Sequence, residues 1–439
     1  MSASKQILAL NRFEGTDTSG FPPELAKRLA KRRATFGASS VLFYEQPIEM
    51  VRGEGVYLFD SNGNRYLDMY NNVPSVGHCH PHVASAIAAQ VARLNINTRY
   101  LSRISESYAE RLLSHVPAPL SNLVMTCTGS EANDLALRIA SSVTGKHGFI
   151  VTRAAYHGNT EAVTAISPSS YKGAPHIPHV RLIPAPSAEG DVGGTFAANL
   201  ATAIKELEAT EYGFAAIIVD SIFSSDGIFA DPPGFLQPAL ALTHQHGGLF
   251  IADEVQPGFG RTGGGLWGFG RHSLTPDIVT MGKPMGNGYP MGGVVVRPEH
   301  LTRFCETTGY FNTFGGSPVA AAAGNAVLDV IEDEELIANA ATSGQVLKSG
   351  LEALKSRFPR IGGVRGAGLF IGLDFVTPDD NTQDQPFASH IINQLKTHHI
   401  LIGAAGLYGH TLKIRPPLCF TTTHADQFLT TLEQILEQS

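Results

Sequence analysis

The chain has little of what marks several large classes of protein. Its four cysteines (Cys79, Cys127, Cys305 and Cys419) are few for 439 residues, and none forms a C-x-x-C pair. That argues for a reducing compartment over a disulfide framework. Charged residues make up only 16% while 43% are hydrophobic, the reverse of a disordered chain. There is no basic excess. A net charge of −7 and a pI of about 6.2 leave no electrostatic footprint for nucleic acid or an anionic membrane. No stretch approaches the roughly 18 apolar residues needed to span a bilayer. The start, Met-Ser-Ala-Ser-Lys, has no apolar segment followed by a cleavage site. The basic stretch from Leu25 to Arg33 reads as a solvated helix face rather than a targeting helix. No internal repeat or low-complexity tract points to a solenoid. These absences lead us to expect a cytoplasmic protein of two or three domains, with neither nucleic acid nor membrane as partner.

What is present is alternation. Ala215–Val219 is an apolar run ending in Asp220, and a helical pattern from Pro233 to His246 is stopped by Gly247-Gly248. Leu249–Ala252 then runs into Asp253, and Ile278–Met281 and Val294–Val296 have the same character. Short apolar runs alternating with helices imply parallel strands buried on both faces, hence a doubly wound α/β domain. The last third differs. Pro318 to Ile331 predicts an Ala-rich helix, Glu332 onward a second, and Gly363–Phe375 and Leu412–Pro417 two strand patterns before a final helix. This suggests a separate, smaller α/β domain from about Val319.

Asp253 closes an apolar strand, where open α/β sheets place ligand contacts. Lys283 follows another strand and sits between Gly282 and Gly286, so backbone there can approach a bulky group. Taken alone, the two read better as a loop lysine and a buried capping carboxylate. A third element favours a site. Thr128-Gly129-Ser130-Glu131-Ala132-Asn133 opens a helix with Ser130 as its expected N-cap, and free N–H groups at such a start bind anions. An anion cradle, a strand-end carboxylate and a Gly-flanked lysine meet the needs of pyridoxal 5′-phosphate (PLP). The cradle takes the phosphate, the carboxylate keeps the pyridine nitrogen protonated, and the lysine supplies the amine.

These residues belong to a longer series: Gly77-His78-Cys79-His80-Pro81, Thr128–Asn133, Tyr156-His157-Gly158, Ile251–Gln256, Gly282-Lys283 and Asn312–Gly316, with Asp253 and Lys283 30 residues apart. On them the chain resembles the class III aminotransferase family of fold-type I PLP enzymes, from about Phe43 to the C-terminus. The resemblance implies a large, mostly parallel PLP-binding domain (61–318) and a small C-terminal α/β domain (319–439). An N-terminal segment (1–60) would pack with the latter. It makes Lys283 the catalytic, Schiff-base lysine and Asp253 the partner of the pyridine nitrogen. Gly129 and Ser130 would hold the phosphate, Tyr156 would stack on the ring and Gln256 would lie near the ring hydroxyl. Thr313 would reach the neighbouring subunit's cofactor phosphate, making a homodimer the minimal active unit.

Two other patterns lead elsewhere. Gly258-Phe259-Gly260-Arg261-Thr262-Gly263 spells G-x-G-x-x-G, but no helical pattern follows it, so the dinucleotide context is missing. His78, Cys79, His80 and His82 are broken by Pro81, no second cluster completes a ligand set, and no metal is expected.

Most relatives in the family transfer amino groups, and an arginine near the C-terminus is often shielded by a glutamate gate. The gate segment corresponds to Asp220–Gly227, where Ser225 stands in the glutamate's place and Asp226 is a neighbouring substitute. The arginine corresponds to Arg415 in Lys413-Ile414-Arg415-Pro416-Pro417. An ungated arginine suits a substrate that is always anionic, though a structural salt bridge is the competing reading. Tyr70–Val73, Leu94–Leu101, Ser167-Pro168 before Tyr171-Lys172, and Pro284 directly after the lysine resemble the phospholyase branch, which acts on O-phosphoethanolamine or phosphorylated hydroxylysine. That branch implies elimination of phosphate from a small phosphorylated amine, with Arg415, Lys172, Arg99 and Asn71 as candidates for gripping the phosphate. The alternatives are an ω-amino acid or alanine–glyoxylate type aminotransferase and, remotely, a non-catalytic PLP-fold binding protein.

Overall fold

The computed structural model describes residues 10–13, 15, 18, 20–173 and 175–439. The chain enters through a small sheet of β1 (Met50–Glu54), β2 (Tyr57–Asp60) and β3 (Arg65–Asp68), three antiparallel strands. The major sheet follows: β4 (Asn122–Thr126), β5 (Phe149–Thr152), β6 (Val180–Ile183), β7 (Ala216–Val219), β8 (Leu249–Asp253), β9 (Ile278–Met281) and β10 (Gly292–Val296), in the order β4-β10-β9-β8-β7-β5-β6. A third, antiparallel sheet contains β11 (Ile361–Ala367), β12 (Phe370–Phe375), β14 (Gly403–Ala405) and β15 (Thr411–Ile414), while β13 (Ile400–Leu401) returns to pair in parallel with β3. Among the described residues no helix is long and apolar enough to cross a membrane.

The major sheet sorts its side chains by strand alternation. Ile218, Ile251, Ile278, Val294 and Val296 face one way, onto Ala132, Leu135, Ala136 and Ile139 of the helix Gly129–Thr144. Ile217, Val219, Phe250, Ala252, Val279 and Val295 face the other core, with Phe196, Leu200 and Ile204 of the helix Val192–Glu208. Both faces are covered, which is why these strands read as unbroken apolar runs. The result is a large, mostly parallel sheet with smaller sheets beside it, the architecture expected from the sequence.

The structure corrects the sequence reading at several places. Val294–Val296 was expected among parallel strands, yet β10 runs antiparallel to both β4 and β9. Only a short 3₁₀ turn, Lys283–Gly286, lies between β9 and β10, too little chain for a parallel crossover. Gly363–Phe375, read as one strand pattern, is the hairpin β11–β12, folded back at Gly368 with φ +54°. The helix expected from Pro233 spans Gln237–Gln245. The segment around Leu25–Arg33 forms the helix Pro23–Phe36, in which no residue is buried.

The N-terminal segment is tied to the C-terminal part of the chain. Asn11 and Tyr44 both donate to the Ile402 carbonyl, and the Glu45 amide donates to Asn393. The small sheet continues past residue 60, because β3 supplies the edge on which β13 pairs.

Candidate active site

Five of the major strands deliver side chains to one place at their carboxyl ends, where open α/β sheets bind ligands. After β4 come Gly129 and Ser130, after β5 Tyr156, after β7 Asp220, at the tip of β8 Asp253 and Gln256, and after β9 Lys283. All seven line one cavity, together with His157, Gly158 and Val255.

Asp253 is 4% exposed and fully engaged. Its Oδ1 accepts from the Val255 amide at 3.0 Å, and its Oδ2 accepts from Asn133 Nδ2 at 3.0 Å and lies 2.6 Å from His157 Nδ1. Asn133 is oriented in turn by Thr280 Oγ1, which donates to its Oδ1 at 2.6 Å. The other nitrogen of His157, Nε2, is buried without a partner. Sequence reading gave Asn133, His157 and Thr280 no role; their signal was only position, next to Ser130, Tyr156 and Lys283.

The helix Gly129–Thr144 is capped by Thr128, whose side chain accepts from the Glu131 amide at 3.1 Å. The cap is therefore not Ser130 as expected. Ser130 sits in the first turn, where its hydroxyl accepts from the Asn159 amide at 3.2 Å and borders the cavity. Gly158 makes this packing possible. Its φ is +143°, and a Cβ there would lie 2.4 Å from Ser130 Oγ.

Lys283 is a lysine with a strongly lowered pKa, about 8. Burial is the main cause and the Arg415 charge adds to it, against the opposing pull of Asp253 and Asp220. Asp220 is raised above the ordinary carboxylate range by burial, although Ser224 and the Ile222 and Ser224 amides donate to it. Gln256 donates from Nε2 to Ser224 Oγ at 2.6 Å and accepts at Oε1 from Arg415. Arg415 is 7% exposed. It also donates to Asn72 Oδ1 at 3.1 Å and lies over the Tyr70 ring at 4.4 Å and near the Phe370 ring at 6.0 Å, and its Nε has no partner. Among the described residues no carboxylate forms an ion pair with Arg415, so the structural salt bridge weighed from sequence is not formed. Ser225 is buried with its hydroxyl unpartnered. Asp226, considered as a substitute gate, instead accepts from Thr152 Oγ1 at 2.7 Å and the Ala154 amide at 3.1 Å.

Four other expected residues lie outside this cavity. Arg99 is exposed over the Phe311 ring at 4.1 Å, Lys172 is exposed, and Asn71 donates to Asp68 at 3.0 Å. Thr313 is exposed in the loop after Phe311. Arg99, Phe311 and Asn312 instead line a separate open cleft of about 550 Å³. The G-x-G-x-x-G segment is a largely buried loop that opens no α-helix; only a short 3₁₀ turn, Gly268–His272, comes after it. At Gly263 (φ +74°) a Cβ would strike the Ala341 backbone at 2.8 Å, so this glycine serves packing. His78, His80 and His82 face three different carboxylates, Asp68, Glu334 and Asp329.

The cavity fits PLP on its own chemistry. A helix start offers amides for a phosphate, a fixed carboxylate stands at a strand tip, and a lysine of low pKa faces them both. Fold and site together define a PLP-dependent enzyme. The chain belongs to the class-III aminotransferase family, whose model matches residues 42–436. It is similar to a phospholyase from Arthrobacter solved in complex with phosphoethanolamine, with a TM-score of 0.91 and 41% identity over 94% of this chain and 100% of that one. It is also 39% identical to an alanine–glyoxylate aminotransferase 2-like protein of Drosophila melanogaster, over 91% of this chain and 84% of the relative. A third relative, ethanolamine-phosphate phospho-lyase homolog 1 of Caenorhabditis elegans, is 36% identical over 93% and 92% of the two chains.

Proposed function

We propose that the protein is a phospholyase that eliminates phosphate from a small phosphorylated amine such as O-phosphoethanolamine. With one water consumed, the products are an aldehyde, ammonia and inorganic phosphate. The observation that carries this reading is the state of Arg415, a buried guanidinium that hydrogen-bonds neutral Gln256 and Asn72 and lies over the Tyr70 ring. It has no ion pair among the described residues, and the Asp68 charge acts on it only from a distance. An enzyme that alternates between acidic and neutral partners must be able to neutralise such a charge, and Ser225 provides no means. A permanently anionic substrate needs none. The phosphoethanolamine complex of the Arthrobacter phospholyase and the C. elegans relative support the same reading.

In this reading Gly129 and Ser130 hold the cofactor phosphate, Asp253 meets the pyridine nitrogen, Tyr156 covers the ring and Gln256 lies by the ring hydroxyl. When bound, PLP supplies an electron sink that stabilises negative charge on the carbon beside the substrate nitrogen. Lys283 Nζ removes the proton from that carbon, and its lowered pKa leaves a useful fraction of neutral amine near neutral pH. Asn133 and His157 hold Asp253 in place. Arg415 receives the phosphate charge as the carbon–oxygen bond breaks. Thr313 of the partner subunit completes the cofactor site in a homodimer. Exposed Tyr100, Leu101, Phe311 and Phe314 form the kind of apolar surface that a second copy would cover.

The test is phosphate release from O-phosphoethanolamine by purified, PLP-loaded protein without a keto acid. Equal amounts of phosphate, aldehyde and ammonia over many turnovers are expected. No release, with amino transfer from alanine to glyoxylate, would make the protein an aminotransferase like the relative from D. melanogaster.

A further inference from the structure

We propose that Lys413 is a second cation of the substrate-phosphate subsite, acting with Arg415 to select a doubly charged phosphate ester over a singly charged anion. The inference rests on the phospholyase reading and names the specificity device within it. Lys413 lies on β15 between Leu412 and Ile414, both packed in the core. Strand alternation therefore turns Lys413 to the opposite face, and Arg415 follows directly after the strand. Both reach one aromatic ring, with Lys413 Nζ 5.6 Å and Arg415 Cζ 6.0 Å from the centre of Phe370.

Lys413 is only 3% exposed, and among the described residues no carboxylate forms an ion pair with it. The charged groups felt there are Arg415 and Lys283, of like sign, and Asp220 and Asp226, of opposite sign. Both carboxylates are already committed, Asp220 to Ser224 and Asp226 to Thr152 and Ala154. Burial, and then Arg415, push the lysine well below its ordinary pKa. Burial therefore favours the neutral amine, and an anion placed beside it and Arg415 would draw the proton back onto Lys413. A phosphate monoester, with its second ionisation near pH 6, carries close to two negative charges at neutral pH and supplies what both cations lack.

The test compares PLP-loaded wild type, Lys413→Met and Lys413→Arg on two esters. One is O-phosphoethanolamine; the other is 2-aminoethyl hydrogen sulfate, which loses sulfate by the same elimination but bears one negative charge on its ester. Lys413→Met is expected to lower kcat/KM for the phosphate ester about 10–100-fold, the usual effect of deleting a hydrogen bond to a charged group, with little change for the sulfate ester. Lys413→Arg should recover most of the loss. Equal effects on both esters, or none on either, overturn the proposal. Calorimetric titration with inorganic phosphate separates this inference from the reading beneath it. Phosphate binding that weakens in Lys413→Met supports the subsite even if wild type proves not to be a lyase. Binding unchanged by the substitution, in a variant with wild-type cofactor absorbance and melting temperature, removes the subsite whatever the reaction.

Discussion

His157 Nδ1 lies 2.6 Å from Asp253 Oδ2, and the same carboxylate oxygen accepts from Asn133. The carboxylate at the strand tip is thus fixed from two elements before any ligand arrives. It is held in this way at the border of the cavity it lines.

Replacing Asp253 by Asn removes the charge proposed to face the pyridine nitrogen, so activity should fall far more than stability. His157→Phe leaves the carboxylate in place but loosens it. Losing one partner of a buried charged hydrogen bond costs about 1–3 kcal/mol, or roughly 5–150-fold in kcat. Steady-state kinetics beside thermal melts checks both. Equal kcat values for wild type and His157→Phe would reduce the histidine to a packing element.

The low pKa of Lys283 has a sign that can be tested in the cofactor-free protein. Only the neutral amine attacks PLP, so the rate of cofactor loading should rise with pH below about 8 and level off above it. Arg415 contributes to the depression by like-charge repulsion. Arg415→Met should therefore raise the lysine's pKa and move the loading profile to higher pH. Stopped-flow absorbance over a pH series measures both curves. A shift to lower pH would show that the two charges do not communicate as described.

How much of this was legible from sequence depended on what buries each residue. The major sheet was readable because both faces are covered and its strands become plain apolar runs. The direction of β10 was not, since Val294–Val296 looks the same in either orientation and only the short link after Met281 decides. Gly129, Ser130, Tyr156, Asp253, Gln256 and Lys283 were legible because each follows a strand, and the sheet brings them together. Arg99 and Lys172 came from segments that resemble the phospholyase branch, and a motif of that kind does not say where in the fold its cation ends: Arg99 lies over the Phe311 ring and Lys172 is exposed. Lys413 was passed over for a different reason. A lysine between Leu412 and Ile414 reads as the solvent side of a half-buried strand, and only the packing around β15 encloses it.

Gln256 gives the phospholyase reading a near-isosteric test. Its amide holds Arg415 without cancelling the charge. Gln256→Glu would put a carboxylate where the amide oxygen is, creating the ion pair that the native site lacks. The KM for O-phosphoethanolamine should rise by about 10-fold or more, because the substrate must now displace a charge-assisted contact of roughly 1.5–3 kcal/mol. An unchanged KM would mean that Arg415 does not grip the phosphate.

The apolar surface around the Arg99 cleft leads to the last prediction. Leu101 is 97% exposed and Phe314 73%, beside Tyr100 and Phe311. Side chains of this size and exposure, clustered on two neighbouring loops, form a patch that a monomer in water has reason to cover. In the proposed homodimer the second copy covers it, and Thr313 of the partner subunit reaches the cofactor phosphate. Leu101→Lys combined with Phe314→Asp should therefore shift the protein from dimer to monomer in analytical ultracentrifugation. The circular dichroism spectrum should stay near wild type, because neither side chain belongs to a core. Cofactor affinity and activity should fall together with the dimer fraction as protein concentration is lowered. A variant that is monomeric yet binds PLP as tightly as wild type would show that each chain completes its own cofactor site, and Thr313 would lose its assigned role.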